Sequence, residues 1–149
     1  MSDLAARTVT IERTFNVPVQ LVWDAWTLPE HIKNWWGPKG METRVEEHNF
    51  EVGGTWKYAM AMPDGKDFIC DGQYIEIINL KKIASKANFR PMTENVIIEV
   101  HLEELAEGTK FTFKVIHESV EYKNQQEQMG IYNGWGSTFD RLEELLAAA

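Results

Sequence analysis

The side chains in this chain that could do chemistry are few, and none falls into a familiar catalytic spacing. There are four histidines, His31, His48, His101 and His117, and one cysteine, Cys70. No two histidines stand four apart as ligands on one helical face, so no metal is expected. A lone cysteine excludes an intrachain disulfide and a Cys-rich zinc site. No Walker-type phosphate loop, dinucleotide fingerprint or nucleophile elbow is present, and Gly53-Gly54 reads as a turn. No cofactor and no catalytic residue can therefore be assigned from motifs. Cys70 shares strand parity with Phe68 and Tyr74, which suits a buried, inert thiol rather than an activated nucleophile. His117 shares parity with Phe113 and Val115. There it either donates to a ligand carbonyl or moves a proton, or it is a satisfied structural histidine at a strand end.

Arg13 and Glu76 each sit on a strand face that is otherwise apolar. A buried charge must be paired, so one reading has the two meet or share a polar patch inside a cavity. The other has a β-bulge turn one of them outward. The stretch Trp35-Trp36-Gly37-Pro38-Lys39-Gly40 is the densest aromatic cluster. It is either a gate at a pocket mouth, hinged on its glycines, or a rigid plug with a tryptophan in the core.

The elements that must position these groups follow from periodicity. Alternation over residues 8–15 reads as a strand, and Pro18 opens a helix that Pro29 stops. A second short helix runs to about Trp36. Strands are expected at 43–49, 55–62, 66–78, 82–88, 96–103 and 109–119, with turns at Gly53-Gly54, Pro63-Asp64-Gly65, Arg90-Pro91 and Glu107-Gly108. Such tight links imply an antiparallel meander. Residues 122–148 read as one long amphipathic helix, with Gly130, Gly134 and Gly136 bending it or breaking it. The result is an α+β architecture, a curved antiparallel sheet covered by its C-terminal helix, as one domain over residues 1–149. The inner strand faces carry Trp56, Tyr58, Met60 and Met62, then Phe111, Phe113 and Val115. That composition suits an adaptable cavity or an ordinary core. The candidate pocket is Trp35, Trp36, Trp56, Tyr58, Met60, Cys70, Phe113, His117, Met129, Tyr132 and Asn133.

The bulk numbers narrow the partners. A net charge of −8 over 149 residues, with no basic cluster beyond Lys81-Lys82, argues against nucleic acid and anionic membranes. No apolar run approaches the roughly 20 residues of a membrane span, and no secretory signal is visible, which favours a cytoplasmic location.

Several stretches carry a resemblance. They are Phe15-Asn16-Val17-Pro18 leading into Val22-Trp23-Asp24-Ala25-Trp26-Thr27, then Pro29-Glu30-His31 and Trp35-Trp36-Gly37-Pro38. Further along come Gly53-Gly54-Thr55-Trp56, Asp71-Gly72-Gln73-Tyr74-Ile75-Glu76-Ile77, and Gly134-Trp135 before Phe139-Asp140-Arg141-Leu142. Over nearly the whole chain, in order, they resemble the SRPBCC (START-like) superfamily, and within it the activator of heat-shock-protein ATPase homologue branch. The resemblance implies a helix-grip fold and a diffuse range of activities: lipid and hormone carriers, aromatases and cyclases, and a chaperone-activating domain. The eukaryotic activator has an additional N-terminal domain, so direct co-chaperone action is not expected of this chain. Three functions stay open: binding a small hydrophobic or aromatic molecule, cyclase- or aromatase-like catalysis in the same cavity, and an interaction module that contacts a chaperone or forms a homodimer.

Overall fold

In the computed structural model, residues 5–37, 42–61, 65–90, 93–128 and 130–148 are described, with the backbone alone at 90, 93, 94, 133, 134 and 148. After a single 3-10 turn at Ala5–Arg7, the order is β1 (Thr8–Phe15), α1 (Val19–Thr27), α2 (Pro29–Trp35), β2 (Thr43–His48), β3 (Thr55–Ala61), β4 (Asp67–Ile78), β5 (Lys82–Arg90), β6 (Thr93–Leu105), β7 (Gly108–Ile116), α3 (Val120–Gln128) and α4 (Ile131–Ala148). Met62, Pro38-Lys39-Gly40, Pro63-Asp64, Pro91 and Met129 lie outside the described residues, as does the side chain of Asn133.

The seven strands form one sheet in the order β1-β7-β6-β5-β4-β3-β2, with every neighbouring pair antiparallel. Strands β2 to β7 are the expected meander. The helix pair α1–α2 carries the chain across to the far edge, so β1 closes against β7 (Ile11 opposite Phe113). Register shifts at Val45/Glu47, Tyr74/Glu76 and Ala87/Phe89 bulge the sheet in its β2–β6 half. Bulges of this kind bend a strand and increase its twist, which is how a sheet comes to wrap a helix.

The sequence-based helix over 122–148 is two helices. Gly130 adopts φ +88°, a left-handed conformation that ends a helix, and the chain restarts at Ile131. The preceding stretch, Val-Glu-Tyr-Lys-Asn-Gln-Gln-Glu-Gln, has no apolar stripe and buries only Gln126, so nothing fuses it to the gripped helix. Helix α4 supplies the grip. Its Trp135 and Phe139 lie 4.5 and 5.1 Å, ring centre to ring centre, from Phe113, and Phe139 lies 5.0 Å from Phe111. Leu142 and Leu146 continue the same stripe into the core.

Arg13 and Glu76 do not meet. Arg13 keeps the inner parity of β1 but reaches over the sheet edge to α4, donating to Asp140 at 2.7 Å and to the Gly136 carbonyl at 3.2 Å. The bulge after Tyr74 turns Glu76 outward, where it pairs with Lys82 at 2.7 Å. A one-residue slip reverses which face every later side chain takes, and strand parity alone cannot foresee it.

Candidate functional site

Trp36 is the hub of the interior. It ends α2 and is buried, with its ring 4.9 Å from Tyr58, 5.8 Å from Trp56 and 5.7 Å from Trp135. Its neighbour Trp35 is fully buried and donates its indole N–H to the Ala25 carbonyl at 2.8 Å. The backbone here is held from two sides. The Thr43 hydroxyl donates to the Trp36 carbonyl at 2.6 Å, and Arg141 of α4 donates to the carbonyls of Asn34, Trp36 and Gly37 at 3.0, 3.2 and 2.9 Å. Arg141 thereby supplies donors to the open carbonyls at the end of α2. Of the gate and the plug, these contacts describe a plug.

Beside Trp36 lies a small internal cavity. Trp26, Trp36, Trp56, Tyr58 and Tyr74 line it, together with Ile32, Ile83, Ile98, Val100 and Ser85. Its volume is about 20 Å³, room for one or two water molecules. No charged side chain lines it, but polar atoms do approach it. Trp56 donates its indole N–H to Ser85 Oγ at 2.8 Å, and Ser85 in turn donates to the carbonyls of Lys86 and Gln73 at 2.7 and 3.1 Å. The indole N–H of Trp26 is buried and has no partner. Such a group costs its full desolvation unless something accepts from it.

At the tyrosine end a hydrogen-bond chain leads out of the cavity. His48 Nε2 donates to the Thr27 carbonyl at 2.7 Å, and Nδ1 lies 2.9 Å from the Tyr58 hydroxyl. A carbonyl only accepts, so the proton is on Nε2 and the neutral ring accepts at Nδ1. Tyr58 must then donate to His48, leaving its oxygen to accept from Tyr74, its other hydrogen-bonding partner. Burial pushes both phenols up, Tyr74 to about 12, so both stay protonated at neutral pH. Burial likewise pushes the Cys70 thiol up to about 12, against a hydrogen bond from Trp36, which removes it as a nucleophile.

Of the sequence-derived candidates, Trp36, Trp56 and Tyr58 come together on the cavity. Trp35, Met60, Cys70 and Phe113 are buried around it without lining it. Tyr132 is turned to solvent and donates to Glu127 at 3.0 Å. His117 sits at the end of the sheet beneath α3, 6.0 Å from the Tyr122 ring, with Nδ1 donating to the Arg7 carbonyl at 3.3 Å and Nε2 unpartnered. Trp26, Tyr74, Ser85 and His48 were not singled out from sequence. Tyr74 was legible through its parity with Cys70. His48 was not, because its role depends on the Thr27 carbonyl of another element.

Two larger depressions lie on the surface. One, about 670 Å³, crosses the outer face of β3–β6 between Lys57, Lys86, Asp71 and Asn88; the other, about 460 Å³, lies at the β6–β7 turn beside Pro18. Both are wide open and of mixed polarity, whereas the interior site is enclosed and mostly apolar, as ligand sites generally are. Among the described residues no three His, Cys, Asp or Glu side chains gather as a metal site. Among them, too, no helix is long and apolar enough to cross a membrane.

His48 and His117 both have pKa values below the ordinary histidine range. Burial is the main cause in each; the Thr27 and Arg7 carbonyls, respectively, oppose it. Unfolded, both titrate near about 6.5. As pH falls through that value the unfolded chain takes up protons that the folded chain refuses, so stability drops until the folded pKa values are passed. Thermal unfolding midpoints should therefore fall between pH 7.5 and 5, and the slope should lessen in His48→Gln and in His117→Gln. An unchanged slope in both variants would contradict the assignment.

Residues 16–147 match the model of the family described as Activator of Hsp90 ATPase homolog 1-like protein. None of the curated proteins matches the chain. Among solved structures, a protein of Nitrosomonas europaea is 30% identical, with 97% of this chain and 96% of that one covered and a TM-score of 0.84. A protein of Mycobacterium smegmatis is 25% identical over 99% and 96%, at a TM-score of 0.87. One of Arthrobacter aurescens is 26% identical over 100% and 91%, also at 0.87.

Proposed function

Because this chain belongs to the Activator of Hsp90 ATPase homolog 1-like family, whose fold supports ligand binding in general, we propose that it binds a small hydrophobic or aromatic molecule between the sheet and α4. It would do so as one domain, in the cytoplasm. The observation that carries this reading is the buried, unpartnered Trp26 N–H beside a cavity that is otherwise aromatic and aliphatic. A buried donor without a partner costs its desolvation, and an acceptor carried in by a ligand would recover it. The driving force is apolar burial, at about 25 cal/mol per Å². A ligand larger than water must move Trp36 or Trp135 aside, taking over their ring contacts.

A cyclase or aromatase needs a group beside the ligand that ionises near neutral pH. The ionisable groups of the lining, Tyr58 and Tyr74, are held protonated. An interaction module has one observation in its favour, the nearly filled interior.

Titration with 2-methylnaphthalene, followed on the indole N–H signals of the six tryptophans, separates the two. Ligand binding predicts saturable shifts of the Trp26, Trp36 and Trp56 signals. Shifts confined to exposed residues, or none up to the probe's solubility, would favour the module.

A further inference from the structure

We infer that the molecule taken up carries a neutral hydroxyl group, received at the His48 end of the cavity by the Trp26 indole N–H and the oxygens of Tyr58 and Tyr74. This rests on the ligand-binding reading above and goes further by specifying the chemistry of the ligand's polar end.

The argument is a count of donors and acceptors. The lining contains no charged side chain, so a carboxylate or an ammonium would be buried without a counter-ion. Two of the polar groups are already engaged: the Trp56 N–H is held by Ser85, and the Ser85 hydrogen goes to main-chain carbonyls. One donor is left over, the Trp26 N–H. On the other side, the carbonyl of Thr27 fixes the His48 proton on Nε2, so the Tyr58 hydrogen goes to Nδ1 and the Tyr74 hydrogen to Tyr58. Each phenol oxygen retains a lone pair. The complement of one free donor and free acceptors is a group that accepts one hydrogen bond and donates one. A hydroxyl does both; a ketone or ether leaves the acceptors unanswered, and a hydrocarbon leaves all of them. The cavity, about 20 Å³, has room for a hydroxyl group as it stands.

His48 fixes this polarity. If the ring takes a second proton, Nδ1 becomes a donor to the Tyr58 oxygen, and the Tyr58 hydrogen must turn elsewhere. The same end of the cavity then offers donors and suits a carbonyl. The groups facing His48 are the Thr27 carbonyl from α1, Glu30 from α2, Tyr58 of β3, Tyr74 of β4 and the ring of Phe50.

The test compares probes of one shape by calorimetry at pH 7.5: 2-naphthol, 2-methylnaphthalene, 2-naphthaldehyde and 2-naphthoate. The naphthol should bind about five- to tenfold more tightly than the methyl compound, as a net hydrogen bond implies, and the carboxylate at least tenfold more weakly than the naphthol. In Tyr74→Phe the ratio of naphthol to methylnaphthalene affinity should shrink towards one, with the thermal unfolding midpoint serving as the check on folding. Lowering the pH through the His48 titration, followed by its own ring signals, should reduce the ratio of naphthol to aldehyde affinity, and His48→Gln should abolish that pH dependence. Equal binding of naphthol and methylnaphthalene, or preferred binding of the carboxylate, overturns the hydroxyl inference and leaves the ligand-binding reading in place. Binding of none of the four overturns both.

Discussion

Replacing Trp36 with alanine is expected to cost about 3–5 kcal/mol of stability, the range for removing a large buried aromatic side chain, and to lower the unfolding midpoint on the order of 10 °C. The ring touches Tyr58, Trp56, Trp135, Trp26 and Trp35, and Arg141 and Thr43 hold in place the backbone it leaves behind. The vacated volume is continuous with the existing cavity, since Trp36 lines it. Indole should therefore bind the variant. At about ten times its dissociation constant it should return about 1.4 kcal/mol, by mass action on the folded state. Thermal melts of Trp36→Ala with and without indole check both parts. A midpoint unmoved by the substitution, or unmoved by indole, would show that Trp36 does not fill a ligand-shaped space.

The second large effect is expected at Gly72, in the middle of β4. It pairs with Trp56 on one side and Ala87 on the other, and the Trp56 indole lies across it. A methyl group built on Gly72 would fall on the Lys86 carbonyl oxygen of β5 and within 2.7 Å of the Trp56 ring. Neither neighbour yields easily: one is ladder backbone, and the other is tied by its N–H to Ser85. Overpacking against rigid surroundings costs about 1–3 kcal/mol and more where backbone must move, so Gly72→Ala should lose about 3 kcal/mol. Because Trp56 lines the cavity, the variant should also bind 2-methylnaphthalene more weakly and shift the Trp56 indole signal. Urea unfolding with a midpoint close to the parent's would mean that the sheet bends more freely than its hydrogen bonding implies.

The two substitutions also mark how far the sequence could be read. Alternation along β3, β6 and β7 was strong enough to place Trp56, Tyr58, Val100 and Phe113 on the inner face, because a period of two survives wherever no bulge intervenes. The same reasoning left Glu76 either paired with Arg13 or turned outward by a bulge, and the bulge after Tyr74 is the alternative the fold takes. The grip helix was legible from Trp135, Phe139, Leu142 and Leu146. The break before it was not, since a glycine among helix formers reads equally as bend or end until its φ is known. Trp36 could be seen as aromatic and central, but gate and plug differ only in contacts made by Arg141 and Thr43 from distant parts of the chain. The polar end of the cavity was the least visible part. It depends on a backbone carbonyl at Thr27 fixing the tautomer of His48, and a backbone carbonyl carries no sequence signature.

The central claim is that ligand enters the interior between the sheet and α4. Intermolecular nuclear Overhauser effects from bound 2-naphthol to the protein test it most directly. The account predicts contacts to the rings of Trp26, Trp56 and Tyr74 and to the methyl groups of Ile83, Ile98 and Val100, which enclose the cavity. Contacts confined to Lys57, Lys86 and Ile97, on the outer face of the sheet, would place the molecule in the surface groove and contradict the interior site.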